Sequence, residues 1–266
     1  MSLAKHSMVQ PGSKLRLKHR DPGDTFGIKR DDKKHEKTLG RLRELQHLLY
    51  ADKRYSLLIV LQGLDAAGKD GTIRHVMSGV NPQGCEVQSF KAPSTEERSR
   101  DYLWRIHRAV PARGNIGIFN RSHYEDVLIV RVHDLVPKAV WRHRYRQINE
   151  FEQMLTDNGV RILKFFLHIS KEEQKKRFEA RIQDSSRNWK LSLPDFEERK
   201  HWDNYTEAYE EALQRCSTEA APWHVIPANK KWFRNYLVAD LVVNALDSMR
   251  LKYPAPTVDI SKVTLE

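Results

Sequence analysis

Apolar residues in this chain follow two rhythms that take turns. Short runs at Tyr55–Leu61, Cys85–Phe90, Asn115–Phe119, Arg161–Ile169 and Ala221–Ile226 read as strands. The fourth is apolar on both faces, as a parallel sheet buried between helical layers requires. Between the runs, apolar side chains step by three or four. Leu39, Leu42, Leu45, Leu48 and Leu49 do so ahead of the first strand, and Trp141, Tyr145, Ile148, Phe151 and Leu155 do so within 138–158. Tyr205, Tyr209 and Leu213, and later Trp232, Tyr236, Leu241, Val242, Ala245 and Met249, mark two further packed faces. Ser94 or Thr95 caps a helix on which Arg98, Asp101, Arg105 and Arg108 share a face, and Ser170 caps another that carries Arg177 and Arg181. Strands alternating with helices predict an α/β fold: a doubly wound three-layer α/β/α sandwich on a five-stranded parallel sheet.

The rhythm fails in three places. Residues 1–34 mix Pro, Gly, Lys, Arg and Asp without period and are expected to form an irregular N-terminal arm. Residues 35–252 then form a single domain, since no linker or repeat divides them, and 253–266 form a tail that docks on the surface or frays. Inside the domain, the polar segment Gln183–Lys190 follows a basic helix. That places a helical lid at about 177–200, closing over phosphates and shutting out water. An exposed helix and loop explain the same residues equally well.

Composition narrows the partners. Lys and Arg number 46 against 35 Asp and Glu, a formal charge of +11, which favours a polyanion: nucleic acid, an anionic membrane surface or a phosphate polymer. No apolar run approaches the ~20 residues that cross a bilayer, and the first residues lack an apolar signal core. The two cysteines, Cys85 and Cys216, exclude a disulfide framework and any multi-thiolate metal centre. The expected location is the cytoplasm, with no membrane partner.

The candidate chemistry begins at Gly63–Thr72, GLDAAGKDGT, between the first strand and a helical pattern. Strand, glycine-rich turn and helix are what a phosphate-binding loop needs. Gly63, Ala66, Ala67, Gly68, Lys69, Asp70, Gly71 and Thr72 are its expected phosphate-binding residues. Their backbone N–H groups and the positive helix end face an anion, while Lys69 reaches the outer phosphates. Asp70 stands where a hydroxyl residue would hold Mg²⁺, and Asp65 is a carboxylate among phosphates. Asp65, with Asp70 as its partner, is therefore read as facing a divalent cation. Asn120–Asp126, NRSHYED, follows the third strand, so it belongs at the carboxyl edge of the sheet beside the loop. There Arg121 neutralises a phosphoryl group in transit, and Glu125 and Asp126 hold metal directly or through water.

At GLDAAGKDGT, FKAPS and IFNRSHYEDVLIV the chain resembles the polyphosphate kinase 2 family, over most of its length. The resemblance implies a P-loop kinase fold, Mg²⁺ dependence, a channel for inorganic polyphosphate lined by Arg and Lys, and a lid after the fourth strand. By this resemblance Asp65 and Lys69 are the essential loop acid and lysine, and Arg121 follows the second nucleotide-binding strand. Many members carry Asp where this chain has Asn120. The run here is similar to that of the subgroup that accepts both AMP and ADP, with Glu125 replacing the missing acid. Metal ligands are then Asp65, Asn120 and Glu125, catalytic residues Asp65, Lys69, Arg121 and Glu125, and further phosphate contacts Lys91, Arg177, Arg181, Arg187 and Lys190.

The expected reaction is in-line transfer of phosphoryl groups between polyphosphate and AMP, ADP or ATP, reversible and driven by positioning and electrostatics. A homo-oligomer without nucleic acid is the expected assembly. An ATP-dependent nucleoside monophosphate kinase is the competing enzyme, and a nucleic-acid-binding ATP switch is the alternative of another class. Against the switch, no helix-turn-helix, RNA-binding or zinc-finger signature is present.

Overall fold

The structure, a computed structural model, describes residues 3–186 and 188–263, without the side chains of Lys190 and Lys262. In chain order its elements are α1 (Leu3–Ser7), α2 (Asp32–Asp52), β1 (Ser56–Gln62), α3 (Lys69–Val76), β2 (Cys85–Ser89), α4 (Thr95–Arg98), α5 (Trp104–Arg108) and β3 (Ile116–Asn120). They continue with α6 (Ile129–Val132), α7 (Lys138–Asp157), β4 (Val160–His168), α8 (Lys171–Gln183), α9 (Leu193–Glu198), α10 (Trp202–Arg215), β5 (Trp223–Pro227) and α11 (Lys231–Ser248).

All five strands pair in parallel in the order β2-β3-β1-β4-β5. Central β1 is buried along its whole length, and its side chains divide strictly by parity. Leu57, Ile59 and Leu61 join the core under α2, α3 and α11, whereas Leu58 and Val60 join the core under α7 and α10. The period of two in the strands thus meets helical stripes on both sides, giving the three expected layers. After β1 the chain runs to one side of it for β2 and β3, then to the other for β4 and β5. The carboxyl end of β1 is therefore the topological switch point, where such sheets collect ligands.

Three expectations change in detail. The arm is short of period but not of structure. It contains α1, forms a bridge from Met8 to His224 on β5, and buries Val9, Leu15 and Leu17 in the core; α2 starts at Asp32, with Asp31 as its cap. The helix expected from Ser94 through Arg108 is two. A capping box between Ser94 and Glu97 starts α4, but the Asp101 carboxylate accepts from the Leu103 N–H at 3.0 Å, a local turn that competes with helix. Arg98, Asp101, Arg105 and Arg108 consequently do not share a face. The fifth strand starts at Trp223 rather than Ala221, where pairing with β4 begins.

One charged side chain lies in the middle of the β4 apolar run. Lys164 is fully buried and donates to Glu152 of α7, to the Tyr124 hydroxyl at 2.8 Å and to the Cys216 carbonyl at 2.6 Å. Tyr124 and His123 in turn meet Glu152, at 2.9 and 3.2 Å. This network ties the segment after β3 to both α7 and β4.

Candidate active site

The turn after β1 is shaped by contacts that only glycine permits. Gly63 has φ +153°, and a Cβ there would lie 2.9 Å from the Leu167 carbonyl on β4. Gly68 has φ +105° and opens α3. From there the first-turn N–H groups of α3 lack partners within the helix and carry its positive end. Lys69 Nζ lies over the loop, donating to the Gly63 carbonyl at 2.7 Å. Burial lowers its pKa, while the charge of Asp65 opposes that shift, as those of Glu125 and Asp70 do more weakly.

The segment after β3 closes the other wall. The Arg121 N–H pairs with the Leu61 carbonyl at 3.0 Å, and φ +64° at Arg121 turns its side chain back toward the loop. The guanidinium donates to Asp65 at 2.8 Å. Glu125 lies behind this pair, its carboxyl pushed up by burial against the pull of Arg121 and Lys69. Asn120 donates to Asp70 at 2.9 Å. Thus Asp65, Lys69, Asp70, Asn120, Arg121 and Glu125, chosen from two distant stretches, meet at one end of β1.

Other expected residues stand differently. The Thr72 hydroxyl is buried and donates to the Gly68 carbonyl at 3.1 Å, and the Ala67 N–H is used inside the turn by the Leu64 carbonyl. Asp126 faces Arg144 of α7, at 3.2 Å, away from the loop. Lys91 is exposed past β2. Arg177 is buried in α8 and gives its guanidinium to the carbonyls of Ala66 and Ala67, both at 2.9 Å, and of Ala228 at 2.5 Å. It buttresses the loop from outside. Arg181 packs over the Phe178 ring at 5.6 Å. Arg187 lies outside the described residues, as does the Lys190 side chain.

Sequence reading missed Arg234. It lies between Phe233 and Asn235 in the first turn of α11, is 3% exposed, and donates to the Ala67 carbonyl at 3.2 Å. Burial, and then the charge of Arg177, bring its pKa down to about 10. Two buried guanidiniums therefore grip the carbonyl side of the loop, leaving its N–H side to face a ligand. Gln174 completes the grip, donating to the Asp65 carbonyl at 2.9 Å. No local pattern announces these residues, because each acts through a contact more than 100 positions away.

The chemistry available is that of an anion cradle with acids at its rim. Asp65 raises the pKa of Glu125, a mutual repulsion that a hard divalent cation relieves. Mg²⁺ commonly takes one or two carboxylates and completes its shell with water and substrate phosphates, so the pair fits it. Among the described residues no three His, Cys, Asp or Glu side chains converge on a metal position.

A sequence model of the family described as polyphosphate kinase 2 matches residues 27–254. The chain belongs to the polyphosphate kinase 2 family. A relative from Meiothermus ruber, named AMP/ADP-polyphosphate phosphotransferase, is 51% identical over 97% of this chain and 98% of its own. An ADP-polyphosphate phosphotransferase from Rhodopseudomonas palustris is also 51% identical, over 82% and 79% of the two chains. Among solved structures, polyphosphate kinase 2 from Arthrobacter aurescens superposes with a TM-score of 0.93 at 44% identity, covering 98% of this chain and 94% of the other. Family membership makes the chain a kinase on a P-loop α/β scaffold, and no helix among the described residues is long and apolar enough to cross a membrane.

Proposed function

We propose that this polyphosphate kinase 2 member moves phosphoryl groups reversibly between inorganic polyphosphate and adenine nucleotides, AMP to ADP and ADP to ATP, with Mg²⁺. The observation that carries this reading is the convergence of Lys69 and Arg121 with Asp65 and Glu125 around a cradle without a metal-binding hydroxyl. Lys69 and Arg121 would spread the charge of the phosphoryl group as it passes in line between donor and acceptor oxygens. Asp65 and Glu125 would hold Mg²⁺, which when bound neutralises phosphate charge; the Asn120 amide would orient Asp70. The names of the relatives support the substrate pair.

The basic excess belongs to the same reading, as a surface for a long linear polyanion whose binding weakens as salt rises. Lys91, Arg181, Arg187 and Lys190 would serve the phosphate chain, with a lid at about 177–200. The protein would act in the cytoplasm as a homo-oligomer without nucleic acid or membrane. Purified protein incubated with AMP, Mg²⁺ and either polyphosphate or ATP tests the core of the reading. ADP and then ATP should accumulate from polyphosphate without nucleic acid; turnover of AMP only with ATP as donor would reject it.

A further inference from the structure

On the far side of α3 from the cradle, two imidazoles meet head to head. His35 lies in the first turns of α2 and His75 at the end of α3. Their Nε2 atoms are 2.6 Å apart, with ring centroids at 4.9 Å and planes within 15°. The rings are thus nearly coplanar, and each directs the same nitrogen at the other. A cavity of about 100 Å³ opens beside them, lined by Asp31, Asp32, Lys34, Trp232 and Tyr236 among others.

We infer that His35 and His75 form a two-imidazole clip for a borderline divalent cation of the Zn²⁺, Co²⁺ or Ni²⁺ class, joining α2 to the end of the loop-bearing helix. Imidazole nitrogen is the ligand such ions favour, and Mg²⁺ does not. With metal–nitrogen bonds of about 2.0–2.1 Å and a tetrahedral angle, the two Nε2 atoms need a separation of about 3.3 Å. That is an opening of about 0.7 Å from the 2.6 Å head-to-head contact, with each ring turned by about 35° so that the two Nε2 lone pairs converge on the ion.

The proton inventory closes as well. In a neutral pair one ring carries its proton on Nε2 and the other accepts there. Both rings must free Nε2 to bind metal, so the donor ring must move its proton to Nδ1. His35 Nδ1 is buried without a partner and is available for it. Burial lowers the pKa of both histidines, assisted at His35 by His75 and at His75 by Arg234, which keeps them neutral. The field of Arg234 opposes a cation, while Asp32 and Glu36 oppose Arg234. Both carboxylates are exposed, Asp32 paired with exposed Arg30 and Glu36 with half-buried Arg43, so either one can turn to the metal as a third ligand. Water from the cavity completes the shell.

The test uses the tag-free chain in buffer without Mg²⁺, titrated with Co²⁺ and Zn²⁺. One equivalent of Co²⁺ should develop visible ligand-field absorption that Zn²⁺ displaces. Saturating Zn²⁺, about a hundredfold over Kd, should raise Tm on the order of 5 °C. His35→Gln and His75→Gln should each abolish both signals and leave metal-free Tm and Mg²⁺-supported turnover within about twofold of the parent. If either variant fails to fold, imidazole ¹⁵N shifts of the parent decide: Zn²⁺ should move Nε2 of both residues. No Zn²⁺-dependent shift in the parent, or signals that survive in both variants, would overturn the clip.

Discussion

Replacing Gly68 with Ala probes the grip on the loop directly. An added Cβ would lie 2.9 Å from Arg234 Cζ and closer still to its Nη1. Arg234 is 3% exposed, so its guanidinium must shift within the protein interior to make room. The change also puts an L side chain at φ +105°, a strain of about 1–2 kcal/mol. Displacing Arg234 forfeits its bond to the Ala67 carbonyl, which adds about 1 kcal/mol, and leaves a buried charge less well paired. The sum is about 2–4 kcal/mol, and a chain of this size loses about 2–4 °C of Tm per kcal/mol. A fall of about 5–15 °C is therefore expected by calorimetry, together with a raised KM for polyphosphate, because the N–H side of the loop is shaped from its carbonyl side. Gly40, inside α2 with nothing within 4 Å of its Cβ position, is the control: Gly40→Ala should stabilise by about 0.5–1 kcal/mol. A Gly68→Ala protein with Tm within about 2 °C of the parent and an unchanged KM would refute the argument.

Other outcomes follow from the same geometry. Lys69→Met should cut polyphosphate-dependent turnover by about 10²–10³-fold in a protein whose circular dichroism and Tm match the parent; near-normal turnover would remove Lys69 from the reaction. Lys164→Met leaves Glu152 buried and uncompensated and should cost about 3–5 kcal/mol in urea unfolding, with most of the loss recovered in Lys164→Met/Glu152→Leu. His224 bonds Ser7 in the arm at 2.9 Å, and burial lowers its pKa from 6.5 to about 4. Because the folded state resists the proton that the unfolded chain accepts, stability should fall as pH drops from 6.5 toward 4, by about 3 kcal/mol in all. His224→Gln should flatten that limb of the urea midpoint against pH.

How much of this was legible in the sequence depended on how far each contact reaches along the chain. Strands and stripes are local, so all five strands and the cores on both faces could be read, with β1, β3 and β4 each displaced by one residue. The cradle was legible because its glycines and Lys69 sit within ten positions and the strand-turn-helix context is local too. Joining it to Asn120–Glu125 required only the rule that parallel strands present their carboxyl ends together. Arg177 stands out by its charge as a contact for the phosphate chain, but its guanidinium is taken up by four carbonyls. Nothing in a helix sequence tells whether an arginine faces water or a neighbouring loop. Arg234 escapes a reading of the sequence for the same reason, and the break at Asp101 turns on one side-chain bond to the backbone.

The grip of Arg234 on Ala67 spans 167 residues, and this sets an order of events during synthesis. At about 5–20 residues per second, the cradle sequence leaves the ribosome on the order of 10–30 s before the helix that shapes it. A nascent chain that holds every motif residue but lacks the last helix should have little affinity for phosphate polymers. Competence would then arrive late and all at once, protecting the unfinished protein from being trapped on abundant cellular polyanions.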